Sequence, residues 1–457
     1  MLFRSIDLGS GSDTFTIAST NAGTASTLTT NGGDDTVTID STAGTTTVNT
    51  NGGADTVHIK GTGGSTTVNT GDDADTVNVQ AIGAATAVNT GADADTVNVG
   101  SLAPSAGGTV NAISARFTLD AGTGTDTLTV DDTGDSAANT STLSASEITG
   151  LGMTAGIGYS NTETLNINLG SGGDTVTITS TASGSATTLT TNGGADTVTI
   201  ESTAGTTAVN TNAGADTVLV KGTGAATTVN TGDDADTVNV RAIGGATSVN
   251  TGAANDTLTV GSLAPSTGGT VNAIAARLTL DAGTGSDTLI VDDTADTAAN
   301  TGTLSGTELT GLGMAVGIGY SNAETLSINL GSGDDTFTIA STNAATTTTL
   351  TTNAGADSVT IESTAGTTTV NTNDGADTVN ARAIGAVTTV NTGAADDTIT
   401  VGSLAPSAGG TVNAVSARLT LDAGTGSDTL TIDDTGDTRS EEHTSELQSQ
   451  FRISYAV

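Results

Sequence analysis

The segments DDTVTI (Asp34–Ile39), ADTVHI (Ala54–Ile59), ADTVNV (Ala74–Val79) and ADTVNV (Ala94–Val99) are one unit written four times, with an aspartate at the entrance of each. Asp35, Asp55, Asp75 and Asp95 therefore recur at one fixed interval. A short unit repeated at a fixed period buries its apolar face only by stacking on its neighbours, which is the signature of a solenoid. Alternation sets the faces: Val57 and Ile59 point one way, Thr56 and His58 the other, and Thr47-Val48-Asn49 follows the same rule. Val48, Val57, Val68, Val77, Val88 and Val97 follow one another by a shorter and a longer step in turn, so each coil offers two short strands. Glycine-rich segments such as NGGA and GDDA form one turn; KGTGGS and QAIGAA form the other. Strands that return once per coil stack in parallel, about 4.8 Å apart. The predicted fold is an all-β parallel β-solenoid of coils of about 20 residues, right-handed by the general preference of parallel crossovers.

A longer period lies over the first. IDLGSGSDTFTI at Ile6, INLGSGGDTVTI at Ile167 and INLGSGDDTFTI at Ile328 are evenly spaced copies, which divide the chain into modules 6–166, 167–327 and 328–438. Pro104 and Pro265 keep that module spacing, whereas Pro406 follows Pro265 one coil too soon, so the third module has dropped one whole coil. A stack in which each rung touches only its neighbours survives that excision. From Arg439 the chain reads RSEEHTSELQS, which resembles the translation of a common sequencing-library adapter, and Arg439–Val457 is set aside as an artefactual tail. The repeat is already under way at Ile6, as expected of an internal piece of a longer chain. Such a piece, cut between coils, exposes unpaired rungs that favour end-to-end self-association.

Composition fits a thin aliphatic core: aromatics are 2%, Gly is 62 of 457 and Pro is 3. The net charge of −39 repels nucleic acid and anionic membranes, and no apolar run is long enough to insert in a bilayer. Cysteine is absent, so disulfides contribute nothing, a composition that suits exported bacterial proteins. A parallel β-helix enzyme gathers differentiated acids and bases in one groove. Here every acid pair recurs in near-identical modules, with 10 Lys and Arg residues in the whole chain. Thr-x-Thr pairs such as Thr14/Thr16 and Thr36/Thr38 suggest an ice-binding ladder, but His58, Asn78 and Asn98 interrupt it.

The aspartates carry the recurring chemistry. AGTGTDTLTV from Ala121, AGTGSDTLIV from Ala282, AGTGSDTLTI from Ala423 and GSGSDTFTI from Gly9 have the spacing G-x-G-x-D, which resembles the RTX nonapeptide of secreted bacterial calcium-binding proteins. In that family glycine-rich turns and aspartates of neighbouring coils hold calcium at the edge of a parallel β-roll. The resemblance implies Asp13, Asp126, Asp174, Asp287, Asp335 and Asp428 as metal ligands. Leu8, Ala121 and Leu169 stand where the family has its first glycine, and only one of the two turns per coil bears the aspartate.

Coordination chemistry points the same way. Stacked in register, Asp35, Asp55, Asp75 and Asp95 lie about 5 Å apart and repel by about 1 kcal/mol per adjacent pair even in water. Their counterparts are Asp196, Asp216, Asp236 and Asp256, then Asp357, Asp377 and Asp397. A calcium ion taking six to eight oxygens turns that repulsion into a cross-link. A denser acid cluster, Asp120, Asp126, Asp131, Asp132 and Asp135, recurs at Asp281, Asp287, Asp292, Asp293 and Asp296 and again from Asp422 to Asp437, with Asp428 between; it is the expected tight site. The competing reading makes each aspartate a turn cap in a solvated row. Arg116, Arg277 and Arg418 are expected to pair with nearby aspartates, and Tyr159 and Tyr320 to cover the wider coil at a module junction. GSLAPSAGG (Gly100–Gly108) reads as a projecting loop, tolerated or in contact with a partner.

The expected function is a calcium-stiffened extension segment of a large secreted or surface-attached bacterial protein, adhesin-like or RTX-type, of about 22 coils and on the order of 100 Å. Its partners would be calcium and other cell-surface or matrix components. The alternative is a calcium-independent solenoid, such as an S-layer or matrix component.

Overall fold

The computed structural model describes residues 4–437 and the backbone of Phe451–Ser454. All regular elements described are strands, and the chain divides into two compact units, Met1–Val218 with Thr223–Gly232, and Leu219–Gly222 with Asp233–Val457.

In the first unit the two strands of every coil join two separate parallel sheets. Thr36–Ile39, Thr56–Ile59, Thr76–Val79, Thr96–Val99 and Thr127–Asp131 pair in register, so Val37, Val57, Val77, Val97 and Leu128 form one buried file. Ser26–Thr29, Thr46–Gly52, Thr66–Asp72, Thr86–Gly91 and Phe117–Asp120 form the facing sheet, with Leu28, Val48, Val68, Val88 and Leu119 in file. Both files are essentially inaccessible to solvent. β-branched and leucine side chains stacked on themselves fill most of the interior, which also takes the fully buried rings of Phe117 and Phe337.

The aspartate-bearing turn is tight. Asn51, Asp73 and Asp93 adopt φ near +75°, and at Gly71, with φ +114°, a Cβ would stand 1.7 Å from the Asn51 carbonyl oxygen of the coil below. Backbone passes over backbone there with no room for a side chain.

At the module junction the stack departs from parallel pairing. Thr140–Leu143 pairs antiparallel with Glu147–Gly150, which pairs antiparallel with Ile157–Ser160. Ile157–Ser160 lies parallel to Phe117–Asp120, and Thr140–Leu143 lies parallel to Thr175–Ile178. In the other sheet Thr127–Asp131 is followed by Thr164–Asn168 and then Ala186–Thr190. The two strand types have therefore exchanged sheets. The strand after the aspartate lies in one sheet in the first module and in the other sheet in the second.

The second unit repeats this exchange. Thr237–Val240, Thr257–Val260 and Thr288–Asp292 stack in one sheet and are followed there by Thr325–Asn329 and Thr347–Thr351. The aspartate strands of the third module, Thr336–Ile339, Ser358–Ile361, Thr378–Ala381 and Thr398–Val401, stack in the other. The antiparallel insert recurs at Gly302–Leu304 with Leu309–Gly311 and at Glu308–Leu309 with Ile318–Gly319.

Phe451–Ser454, within the segment set aside as a tail, lies parallel to Leu419–Asp422. The rest of 438–457 lies outside the described residues.

Removing residues 57–76 takes out one coil and leaves every later strand in its own sheet, as in the shorter third module. We expect that chain to fold, with its urea m reduced roughly in proportion to the surface lost. Removing residues 57–66 instead shifts later strands by half a coil and should abolish cooperative unfolding; far-UV circular dichroism against urea distinguishes the two.

Candidate functional site: the aspartate columns

In each plain coil the aspartate enters its strand from the tight turn, so its own amide faces along the stack into a buried corner. The next coil supplies the acceptor. The N–H of Asp13 donates to Oδ1 of Asp35 at 2.8 Å, that of Asp35 to Asp55 at 2.7 Å, and those of Asp55, Asp75 and Asp95 to Asp75, Asp95 and Asp126 at 2.8 Å. The carbonyl of the same residue accepts the next coil's threonine amide, as Thr56 N–H does to Asp35 at 2.8 Å. The aspartates are thus caps, but between coils and not within their own turns.

Each column has defined ends. Asp126 N–H donates to Oε2 of Glu163 at 2.9 Å, because Thr127 pairs with Thr164 and Glu163 therefore occupies the next column position. A second column starts on the opposite edge, where Asn139 N–H donates to Asp174 at 2.8 Å and the amides of Asp174 and Asp196 donate to Asp196 and Asp216 at 2.7 Å. In the second unit Asp236, Asp256 and Asp287 end on Glu324. Asn300 opens the column of Asp335, Asp357, Asp377, Asp397 and Asp428 there, with donor–acceptor distances of 2.8 to 3.1 Å. Sequence reasoning missed the two glutamates, although ETLNIN at Glu163 parallels DTLTVD at Asp126.

The second carboxylate oxygen has a different setting. Oδ2 of Asp35, Asp55, Asp75, Asp95, Asp126, Asp256, Asp287, Asp377 and Asp397 is buried and receives no hydrogen bond. In the plain coils a threonine at the fifth position before the aspartate stands beside it: Thr50 by Asp55, Thr70 by Asp75 and Thr90 by Asp95. Thr191 and Thr352 donate directly to Oδ2 of Asp196 and Asp357. Burial pushes these carboxyls upward, Asp75 to about 7 and Asp196 to about 6, against the opposing pull of the threonine hydroxyl beside each and of the amide bonded to Oδ1. Asp126, with Ala121 in place of the threonine, is also pushed up to about 6, by burial first and by Asp95 and Glu163 after it.

The denser acid cluster clamps the GSLAPSAGG loop. Asp131 Oδ2 accepts the Gly108 amide at 2.8 Å, its Oδ1 accepts the Thr133 hydroxyl at 2.6 Å, Asp132 Oδ1 accepts the Val110 amide at 2.9 Å, and Asp135 Oδ2 accepts Asn111 Nδ2 at 3.1 Å. Asp292 and Asp293 repeat this on Gly269 and Val271. Asp120 and Asp281 accept Nδ2 of Asn161 and Asn322 at 2.8 and 2.7 Å, and Asp422 accepts the Gly424 amide at 3.1 Å. Burial raises Asp132 to about 7, whereas the Ala137 amide holds half-buried Asp135 below the ordinary carboxylate range. Arg116 and Arg277 bind Glu147 and Glu308 of the junction insert and not an aspartate. Tyr159 and Tyr320 are buried beside it, Tyr320 donating to the Ser305 carbonyl at 2.7 Å.

A calcium ion needs six to eight oxygens converging on one point. A column presents one oxygen per coil already engaged by an amide and one turned into the coil, and no group of three or more Asp, Glu or His side chains converges among the described residues. In the plain columns and the loop clamp an amide already holds one oxygen of each carboxyl, as at Asp75 and Asp132.

Replacing Asp132 with Ala strands the Val110 amide. The expected cost is about 1–3 kcal/mol in urea unfolding, with faster hydrogen exchange at Val110; Asp293→Ala should do the same at Val271. Comparison with known proteins adds no name to this geometry: no family model matches the chain, and no curated protein matches it.

Proposed function

We propose that this chain is a structural repeat segment whose coils are joined by aspartate–amide columns, and that it serves as a calcium-independent spacer in a secreted or surface-attached bacterial protein. The observation that carries this reading is the in-register repetition of Oδ1-to-amide bonds through the plain coils. These bonds link coil to coil without an external ion. Length is then a matter of coil number, each coil adding a strand step of about 4.8 Å within a unit.

Repetition also supports a structural over an enzymatic role. The groups around Asp131 and Asp132 recur around Asp292 and Asp293 with the same partners, so neither copy has a differentiated acid–base set. Net charge of −39 and the absence of cysteine suit an exported location and disfavour nucleic-acid partners.

The test is circular dichroism and melting of the full chain in chelator, in millimolar calcium and in millimolar magnesium. We expect the same β spectrum in all three and equal melting temperatures in calcium and magnesium. A β signal that forms only with calcium would favour the RTX-like reading instead.

A further inference from the structure

A threonine hydroxyl has one proton. In the plain coils that proton is already committed: Thr50 donates to the carbonyl of Thr70 at 3.0 Å, Thr70 to that of Thr90 at 2.9 Å, and Thr90 to that of Ala121 at 2.9 Å. Thr251 and Thr372 do the same toward Ala282 and Thr392, at 3.0 and 3.1 Å. Beside each of these hydroxyls stands the Oδ2 of a fully buried aspartate, and no donor, the threonine included, reaches that oxygen in hydrogen-bonding geometry. An ionised Oδ2 in that place faces the lone pairs of an oxygen whose proton points elsewhere. A protonated Oδ2 is a donor facing an acceptor with a free lone pair, and every polar atom of the corner is then satisfied.

We propose that Asp55, Asp75, Asp95, Asp256 and Asp377 are neutral acids that donate from Oδ2 to the threonine at the fifth position before them, so that these column positions bind protons where the RTX-like reading places metal. The chain of bonds runs from Asp75 Oδ2–H to Thr70 Oγ1, and from Thr70 Oγ1–H to the Thr90 carbonyl, while Oδ1 still accepts the Asp55 amide. Neutral acids also remove the repulsion within a column. The charged groups facing Asp75 are Asp55 and Asp95; those facing Asp55 are Asp35 and Asp34, and Asp93 faces Asp95. All are acids, and their sum favours the neutral form. Lys60, Arg116, Arg277 and Arg382 are engaged elsewhere, by Asp40, Glu147, Glu308 and Glu362.

The sign of the pH dependence follows from carboxyls raised in the folded chain. Their stabilising effect is fully present below the ordinary carboxylate range and is lost as pH rises through about 6 to 7, the positions of Asp196 and Asp75. The spacer would therefore be firmest in mildly acidic surroundings and loosen toward alkaline pH.

This proposal deepens the calcium-independent reading, and one experiment separates their failures. Thermal unfolding of the full chain is measured at about pH 5 and about pH 8, in chelator and in calcium, for the natural chain and for Asp75→Asn, Asp75→Ala and Asp72→Asn. Asparagine is the neutral acid's isostere, with Oδ1 for the Asp55 amide and Nδ2–H for Thr70. Expected are a lower melting temperature at the higher pH in the natural chain, an Asp75→Asn chain that melts at or above the natural one at the higher pH with a smaller fall, and an Asp75→Ala chain that melts lower at both. Asp72→Asn removes the same charge from an exposed position and should leave the fall intact. An Asp75→Asn chain as damaged as Asp75→Ala at the higher pH, or a natural chain indifferent to pH in chelator, would overturn the proton columns and leave the calcium-independent spacer standing. Melting that rises with calcium in the natural chain but not in Asp75→Asn would overturn both.

Discussion

The amide of the column aspartate is the constraint on which the rest of the structure depends. It sits where a strand begins, buried beneath a turn with no room for a side chain, so it must find an acceptor within the protein or cost the free energy of a buried, unpaired donor. The neighbouring coil's strand has its own ladder to satisfy. A side chain of the next coil must reach back, and a carboxylate or its neutral acid at the same register position is the shortest group that does so. From this follow the recurrence of aspartate once per coil, the backbone-on-backbone turn that Gly71 permits, and the glutamates at 163 and 324, which serve where the coil is wider.

Stacking those groups sets a second requirement. Carboxylates one strand step apart repel, and burial makes each charge costlier. The chain carries −39 overall, so surface cations do little to offset the columns. Threonine at the fifth position before the aspartate, in Thr50, Thr70, Thr90, Thr191, Thr251, Thr352 and Thr372, places a hydroxyl against the inner oxygen of every such coil. Where leucine or alanine replaces it, at Leu8, Ala121 and Ala282, the G-x-G-x-D turns begin or end a column. The RTX-like spacing and the threonine pairing are thus complementary features of one column, marking its ends and its interior.

The architecture was legible in the sequence because it depends on position alone. Strand alternation, the short and long steps between valines and the missing coil of the third module each follow from which residues are apolar and how far apart they stand, and the file Val37–Val57–Val77–Val97 is their direct product. The aspartates were visible as a row, but spacing says which residues stack and not which way a carboxyl turns, so Oδ1 on the neighbouring amide had no sequence signature of its own. The fixed interval from threonine to aspartate, present throughout the plain coils, was a signal for the other oxygen, Oδ2. The exchange of sheets at Thr140–Ser160 was hidden for another reason: Leu143, Ile148 and Ile157 belong to an antiparallel insert, whose apolar spacing obeys neither the coil period nor a single strand's alternation.

That exchange has a physical use. In the first unit a row of six aspartates, from Asp13 to Asp126, closes on Glu163, and the next row opens at Asp174 on the opposite edge. A longer row would add one more like group to each field already acting on its members. Turning the chain back through the insert ends the row, and Arg116 on Glu147 places a cation beside the turn-back. The loop clamp at Asp131, Asp132 and Asp135 precedes the new row on the same edge, so the first coil of the second module rests on Asn139, already positioned by Asp135. A sequence that repeats module by module thereby alternates its acidic edge with each repeat, and every row stays short enough for its interior threonines to serve it.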